Sequence, residues 1–180
     1  RAYLYYSLLR QYGPVPILPD DPLPTNGSTE SLSFPRGTYD ECVDYICNDM
    51  EKASEFLQET RTQQFQNIPT KGAALAVISR LRLYAASPWY NGNNRYTDWK
   101  TSDGRNYISP TNDNSKWGKA AVAAKRVINM DKYKLYTTAR TERTQKLPTN
   151  IPQESYPNGA GNIDPYASYK TLFDGSVNAE

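Results

Sequence analysis

The sequence predicts an all-α fold, a tetratricopeptide-like helical-repeat scaffold with long irregular loops. Apolar residues recur at three- and four-residue steps in several separate stretches. No stretch alternates apolar and polar residues long enough to anchor a sheet. Thirteen prolines, ten glycines and a mean hydropathy of −0.77 set those stretches in generous irregular chain. A compact chain of 180 residues buries roughly 70% of its surface, so a core is expected.

In chain order, residues 1–12 (R-A-Y-L-Y-Y-S-L-L-R-Q-Y) read as a short helix with Tyr5, Leu8, Leu9 and Tyr12 on one stripe, stopped by Gly13-Pro14. Residues 13–37 are a loop, and the five prolines from Pro14 to Pro24 keep its first half extended and out of any central strand. A second helix covers 38–57. Thr38 and Glu41 stand in capping-box register, and Val43, Ile46, Cys47, Met50 and Ala53 form its apolar face. Cys42 and Cys47 point about 140° apart on that helix, a poor geometry for a disulfide. Cys47 reads as a small core residue.

The organising element is 70–87, K-G-A-A-L-A-V-I-S-R-L-R-L-Y-A-A after a Thr70 cap. It is apolar on nearly every side and therefore belongs inside a helical layer. Five alanines keep it thin, while Leu75, Val77, Ile78, Leu81, Leu83 and Tyr84 are expected to supply packing bulk. Pro88 forces Ser87 out of helical geometry. This helix and the one before it form an antiparallel hairpin. A further helix at 115–129 places Trp117, Ala121, Ala124 and Ile128 inward. Residues 133–136 look extended, 137–165 read as loop, and a last helix at 166–173 is stopped by Gly175. Paired helices of small and aromatic residues suggest stacked repeats, although the full repeat signature is absent.

Residues 88–114 carry the functional expectation. This aromatic, asparagine-rich loop is far longer than an ordinary connection, and its aromatic content argues against disorder. Flat rings beside amide, carboxylate and guanidinium groups suit sugars, whose axial C–H bonds pack on a ring and whose vicinal hydroxyls take paired hydrogen bonds. The candidate ligand-binding residues are Trp99, Tyr96, Tyr107, Asn94, Arg95, Asp103, Trp89 and Tyr90, with Asp98 beside them. Trp89 and Tyr90 lie tight against the helix end and also fit a role pinning the loop to the core. Trp99, Tyr96 and Tyr107 are expected to be freer, so that Trp99→Ala would cost binding and little stability. Nine basic residues between Lys116 and Lys146 read as a solvated face turned toward the acidic 40–59 helix.

Several classes lose support. A net charge of +2 gives no general reason to expect nucleic acid. With no histidine, Ser-His and Cys-His catalysis and the common zinc sites lose their main participant. No glycine loop of either phosphate-binding pattern occurs. We therefore expect no catalytic residue, metal or cofactor, although nineteen acidic residues leave a glycosidase carboxylate pair open. No run approaches a membrane span, and a chain beginning at Arg1 is expected to be a piece of a longer protein.

One ordered series of segments is similar to a known family. R-A-Y-L-Y-Y-S-L-L-R-Q-Y-G-P-V-P is followed by T-Y-D-E-C-V-D-Y-I, A-L-A-V-I-S-R-L-R-L-Y-A-A-S-P-W-Y-N-G-N, W-G-K-A-A-V-A-A-K-R-V-I and Y-K-T-L-F-D-G. In this order the chain resembles the SusD/RagB family of glycan-binding outer-membrane lipoproteins, as an internal segment. The resemblance implies a helical scaffold docked on a SusC-like TonB-dependent transporter, with loops capturing oligosaccharide or polysaccharide. It also implies a cell-surface, outer-membrane location through a lipid anchor outside these residues. The family's sugar-contacting aromatics have no motif to match, so the loop residues above rest on chemistry alone. The rival reading is a helical-repeat scaffold that binds only protein.

Overall fold

The computed structural model describes residues 1–174, which fall into two compact units, one over Arg1–Asp131 and one from Lys132 onward. The architecture is the all-α, stacked-helix one. The first unit contains α1 (Ala2–Tyr12), α2 (Tyr39–Phe56), α3 (Lys71–Ala86) and α4 (Ser115–Ile128). Helices α1 and α2, α2 and α3, and α3 and α4 pack side by side. Ion pairs give their directions. Arg1 at the start of α1 meets Asp49 late in α2, so those two run antiparallel. Lys116 and Arg126 of α4 meet Asp40 and Glu51 of α2 in the same order, so α2 and α4 run parallel with α3 reversed between them.

Local chemistry sets the helix ends. The Thr38 hydroxyl accepts from the Glu41 N–H at 3.2 Å, and the Glu41 carboxylate accepts from the Thr38 N–H at 2.7 Å. Thr70 caps α3 through the Ala73 N–H at 3.3 Å. Ser87, preceding Pro88, is extended and ends that helix.

The core gathers Tyr5, Tyr6 and Leu9 of α1, Val43, Ile46 and Met50 of α2, and Leu75, Ile78 and Leu81 of α3. Each such aliphatic side chain contributes on the order of 1.5–3 kcal/mol by leaving water. Both cysteines are buried and unpaired. The Cys42 thiol donates to the Val15 carbonyl, and burial pushes the Cys47 thiol up to about 11, which leaves both unreactive.

Three faces differ from the sequence expectation. On α1, Tyr6 and Ala2 are buried, whereas Leu8 and Tyr12 face outward. On α3, Leu83 and Tyr84 are exposed, because the alanine-rich faces are those pressed between α2 and α4. On α4, the inward residues are Ala120 and Ala123, with Val127 packed beside them. Trp117 and Ile128 are exposed. The helix is turned by about one residue, roughly 100°. Closely approaching helices admit alanine at the contact and leave the bulkier stripe outside.

At the end of this unit formed by the start of α1, the close of α2 and the start of α3, a groove of about 730 Å³ opens among Tyr3, Met50, Phe56, Ile68, Ala73 and Val77. Phe56 on its rim is 86% exposed.

The second unit pairs β1 (Thr138–Ala139) antiparallel with β2 (Ile163–Asp164), which leads directly into α5 (Pro165–Phe173). Asp164 caps that helix by accepting from the Ala167 N–H at 2.8 Å, and Pro165 occupies its first position. The expected stop at Gly175 lies outside the described residues.

Candidate functional site

Residues 88–114 form a folded loop at the end of the first unit where α2 and α4 begin and α3 closes. Its base is closed by one buried side chain. The Asn91 amide donates to the carbonyls of Ala86 and Asp113, at 3.4 and 3.0 Å, and accepts from the Asp113 N–H at 2.8 Å. Asn91 also bridges to Ser109, whose carbonyl accepts from Gly92 and Asn93. Gly92 sits at φ +83°, where a side chain would be strained and its Cβ would press on the Asn112 backbone. Buried Asn93 accepts from the Arg95 N–H at 2.9 Å and donates to the Trp89 carbonyl at 2.9 Å, fixing the short 3₁₀ turn Asn94–Tyr96.

The loop tip is a hairpin in which Lys100 faces Asn106. Thr101, buried, organises it. Its N–H donates to the Arg105 carbonyl at 2.8 Å, its hydroxyl meets the Asp103 carboxylate, and Gly104 turns the chain at φ +86°. The Arg105 guanidinium spans Asp103, at 2.8 Å, and Glu41 of α2. Two further ties hold the loop to the first turn of α2. The Tyr39 N–H donates to the Tyr107 carbonyl at 2.8 Å, and the Tyr39 ring stacks on Tyr90 at 3.9 Å.

The carboxylates of Glu41, Asp103 and Asp113 are all stabilised as anions. The Thr38 N–H, and then Arg105, hold Glu41 below the usual carboxylate range. The Thr101 hydroxyl and then Arg105 do the same for Asp103, and hydrogen bonds from Ser115 for Asp113. Burial pushes the Tyr39 and Tyr90 hydroxyls upward, so both stay neutral.

Four rings run through the loop in contact. Trp89 meets Tyr96 edge-on at 6.0 Å, Tyr96 meets Trp99 at 6.4 Å, and Trp99 meets Tyr107 at 4.7 Å. Their exposures differ from the sequence reading. Trp89 is the open ring at 50% exposed, while Trp99 and Tyr96 are partly buried against the core, and Tyr107 is half-buried. The sequence reading has Trp99 free; its packing on Tyr107 and near Gly13 makes it part of the scaffold as well. Tyr90 does pin the loop, through Tyr39. Asn94, Arg95 and Asp98, close in sequence to Tyr96 and Trp99, are open to solvent, whereas the Asp103 carboxylate is spent within the hairpin.

Sequence reasoning did not single out Asn91, Asn93 and Thr101 as loop organisers, nor Glu41 and Arg105 as a tie. The run N-G-N-N after a helix-ending proline is a turn signal that could have found the first two. Next to the loop, Asp40, Asp44, Arg82, Asp113, Lys116 and Lys119 line a crevice of about 160 Å³, much of it filled by the Lys116–Asp40 and Arg82–Asp44 pairs. Among the described residues, no cluster of three or more His, Cys, Asp or Glu side chains could hold a metal, and no helix is long and apolar enough to cross a membrane.

Residues 1–83, which take in α1, α2 and most of α3, match the SusD-like family described as starch-binding and associating with the outer membrane. The solved structure of BT4246 is similar over 83% of this chain, at 30% identity and a TM-score of 0.68. Over residues 1–83 the chain is SusD-like. A SusD-like protein of Bacteroides fragilis shares the fold over 77% of the chain, with 24% identity and a TM-score of 0.52. No curated protein matches. The chain spans 28% of the length of BT4246 and 21% of the Bacteroides fragilis structure, so it accounts for about a quarter of a SusD-like protein. The family match stops at residue 83, immediately before the aromatic loop. The SusD-like scaffold is therefore carried by family likeness, and the chemistry of residues 88–114 stands on its own geometry.

Proposed function

We propose that this SusD-like chain takes part in non-catalytic glycan capture at the cell surface, as part of a lipid-anchored protein that passes oligosaccharide to a TonB-dependent outer-membrane transporter. The family description supports carbohydrate as the ligand class. The observation that carries the reading is the half-exposed Trp89 ring, backed edge-on by Tyr96, with the exposed Asn94 and Arg95 in the adjoining 3₁₀ turn. A pyranose face stacks on the indole, and the amide and guanidinium orient its hydroxyls. Tyr96, Trp99 and Tyr107 hold that ring in place and complete the surface, with Tyr90 anchoring the loop from below. Asp103 contributes by keeping the hairpin closed.

The test is affinity electrophoresis of the protein through gels of plant, host and microbial polysaccharides, beginning with starch. Retardation by at least one glycan is expected, with Trp89→Ala losing most of it while its melting temperature stays within a few degrees of the parent. Equal retardation of the two proteins would overturn the assignment of Trp89.

A second reading, a helical-repeat scaffold that binds only protein, is favoured by the partial burial of Tyr96, Trp99 and Tyr107, which are already engaged in packing. Tryptophan fluorescence separates the two. Quenching by polysaccharide supports capture, whereas quenching by a purified SusC-like transporter with none by polysaccharide supports the scaffold.

A further inference from the structure

We infer that Arg105 is a positioning residue for the glycan loop, acting through Glu41, so that the capping box of α2 and the ring series form one mechanical unit. The inference rests on the glycan reading of Trp89 for its affinity measurements and on geometry alone for the rest.

Glu41 has two jobs and two oxygens. One oxygen accepts from the Thr38 N–H and closes the capping box; the other meets the Arg105 guanidinium. Arg105 reaches from the far strand of the loop hairpin, and its second ion pair, to Asp103, fixes the hairpin turn. Among the described residues, Glu41 and Asp103 are the charged partners of Arg105, so the guanidinium has no competing acid to turn to. Two residues beyond Arg105, Tyr107 is held to Tyr39 by its carbonyl and to Trp99 by its N–H, at 3.2 Å. From Trp99 the ring contacts run through Tyr96 to Trp89. Releasing Arg105 leaves the hairpin attached to α2 at Tyr39 alone. The hairpin then keeps that bond and the packing of Trp99 and Ile108 on the core, and it loosens about them, shifting Trp99 first and Trp89 through it. Both charged groups are about half exposed, so salt screens the tie.

The experiment compares Glu41→Gln, Arg105→Gln, the double variant and Arg105→Lys with the parent. In Glu41→Gln the amide oxygen still accepts from the Thr38 N–H, so α2 stays capped. In the absence of glycan, acrylamide quenching of tryptophan emission is expected to rise in Glu41→Gln, to rise at least as far in Arg105→Gln, which also loses the Asp103 pair, to go no higher in the double variant than in Arg105→Gln, and to return toward the parent in Arg105→Lys. Polysaccharide affinity is expected to fall about threefold in Glu41→Gln, the size an exposed ion pair can supply, at least as much in Arg105→Gln, and no further in the double variant than in Arg105→Gln. Added salt should weaken the parent's binding and leave the Arg105→Gln affinity unchanged. Unaltered quenching, additive losses in the double variant, or equal salt dependence in all proteins would overturn the inference. If Trp89→Ala binds as the parent does, the glycan reading fails and the quenching comparison still decides the tie. If Trp89→Ala loses binding while the glutamine variants keep it, only the tie fails.

Discussion

The two ends of the four-helix unit are built on opposite principles. Where α2 and α4 begin, charge and amide chemistry close the structure: Asn91 clasps the loop base, Glu41 and Arg105 hold its tip, and Lys116 grips Asp40 with contacts of 2.7 and 2.8 Å. Where α2 closes and α3 begins, the same helices leave an apolar groove rimmed by Phe56 and Tyr3. A helical stack fixes its sides by packing and leaves its ends to the connections. One connection is rich in Asn, Asp and Arg; the other, 58–69, supplies mostly polar side chains that face solvent. Order in this unit is therefore expected to depend on polar contacts at one end and hardly at all on the side chains at the other.

That contrast can be broken by substitution. Tyr39→Ala removes a buried ring, its stack on Tyr90 and part of the helix-to-loop seam, and is expected to cost about 3 to 4 kcal/mol in chemical denaturation. Asn91→Ala leaves the Ala86 carbonyl and the Asp113 N–H without their partner, while the Asp113 carbonyl keeps the Lys116 N–H, for a loss of about 2 kcal/mol and faster amide exchange from residue 91 to 113. Acid sharpens the comparison. Glu41, Asp103 and Asp113 are held below the usual range in the folded chain. Their stabilisation is complete above about pH 5 and drains away as pH falls through their lowered values. Between about pH 5 and pH 3, amide protection, taken against the intrinsic exchange rate at each pH, should fall in the loop and at the first turn of α2 before it does at the last turn of α2. Phe56→Ala, at the groove, should change stability by less than about 0.5 kcal/mol. A larger loss there, or a tolerant Asn91, would remove the distinction.

What was legible in the sequence was local. Thr38 with Glu41, Thr70 with Ala73, and Pro88 after Ser87 each declare a helix end within a few residues, and the structure shows all three at work. The alanine-rich character of α3 correctly marked it as an element with neighbours on two sides. Rotation about a helix axis was less legible. On α1 and α4 the bulkiest apolar stripe looked like the inner one, yet Ala120 and Ala123 face inward and Trp117 does not, because interhelical distance decides which size fits. The site was half legible. Composition pointed to residues 88–114, but whether an indole there is open or packed depends on partners far along the chain. Trp99 lies against Tyr107, and the hairpin that carries it is held by Glu41, 64 positions from Arg105. Sequence order carries no trace of either.

Asn91 has a wider consequence. Because one amide ties residue 113 to residue 91 and to the close of α3, both ends of the stretch are fastened at one neck. Farther out, the same stretch touches the bundle again at Tyr39 and Glu41 and through the core packing of Trp99 and Ile108. A change at the neck is therefore felt at the close of α3, and one at the tip at the opening of α2.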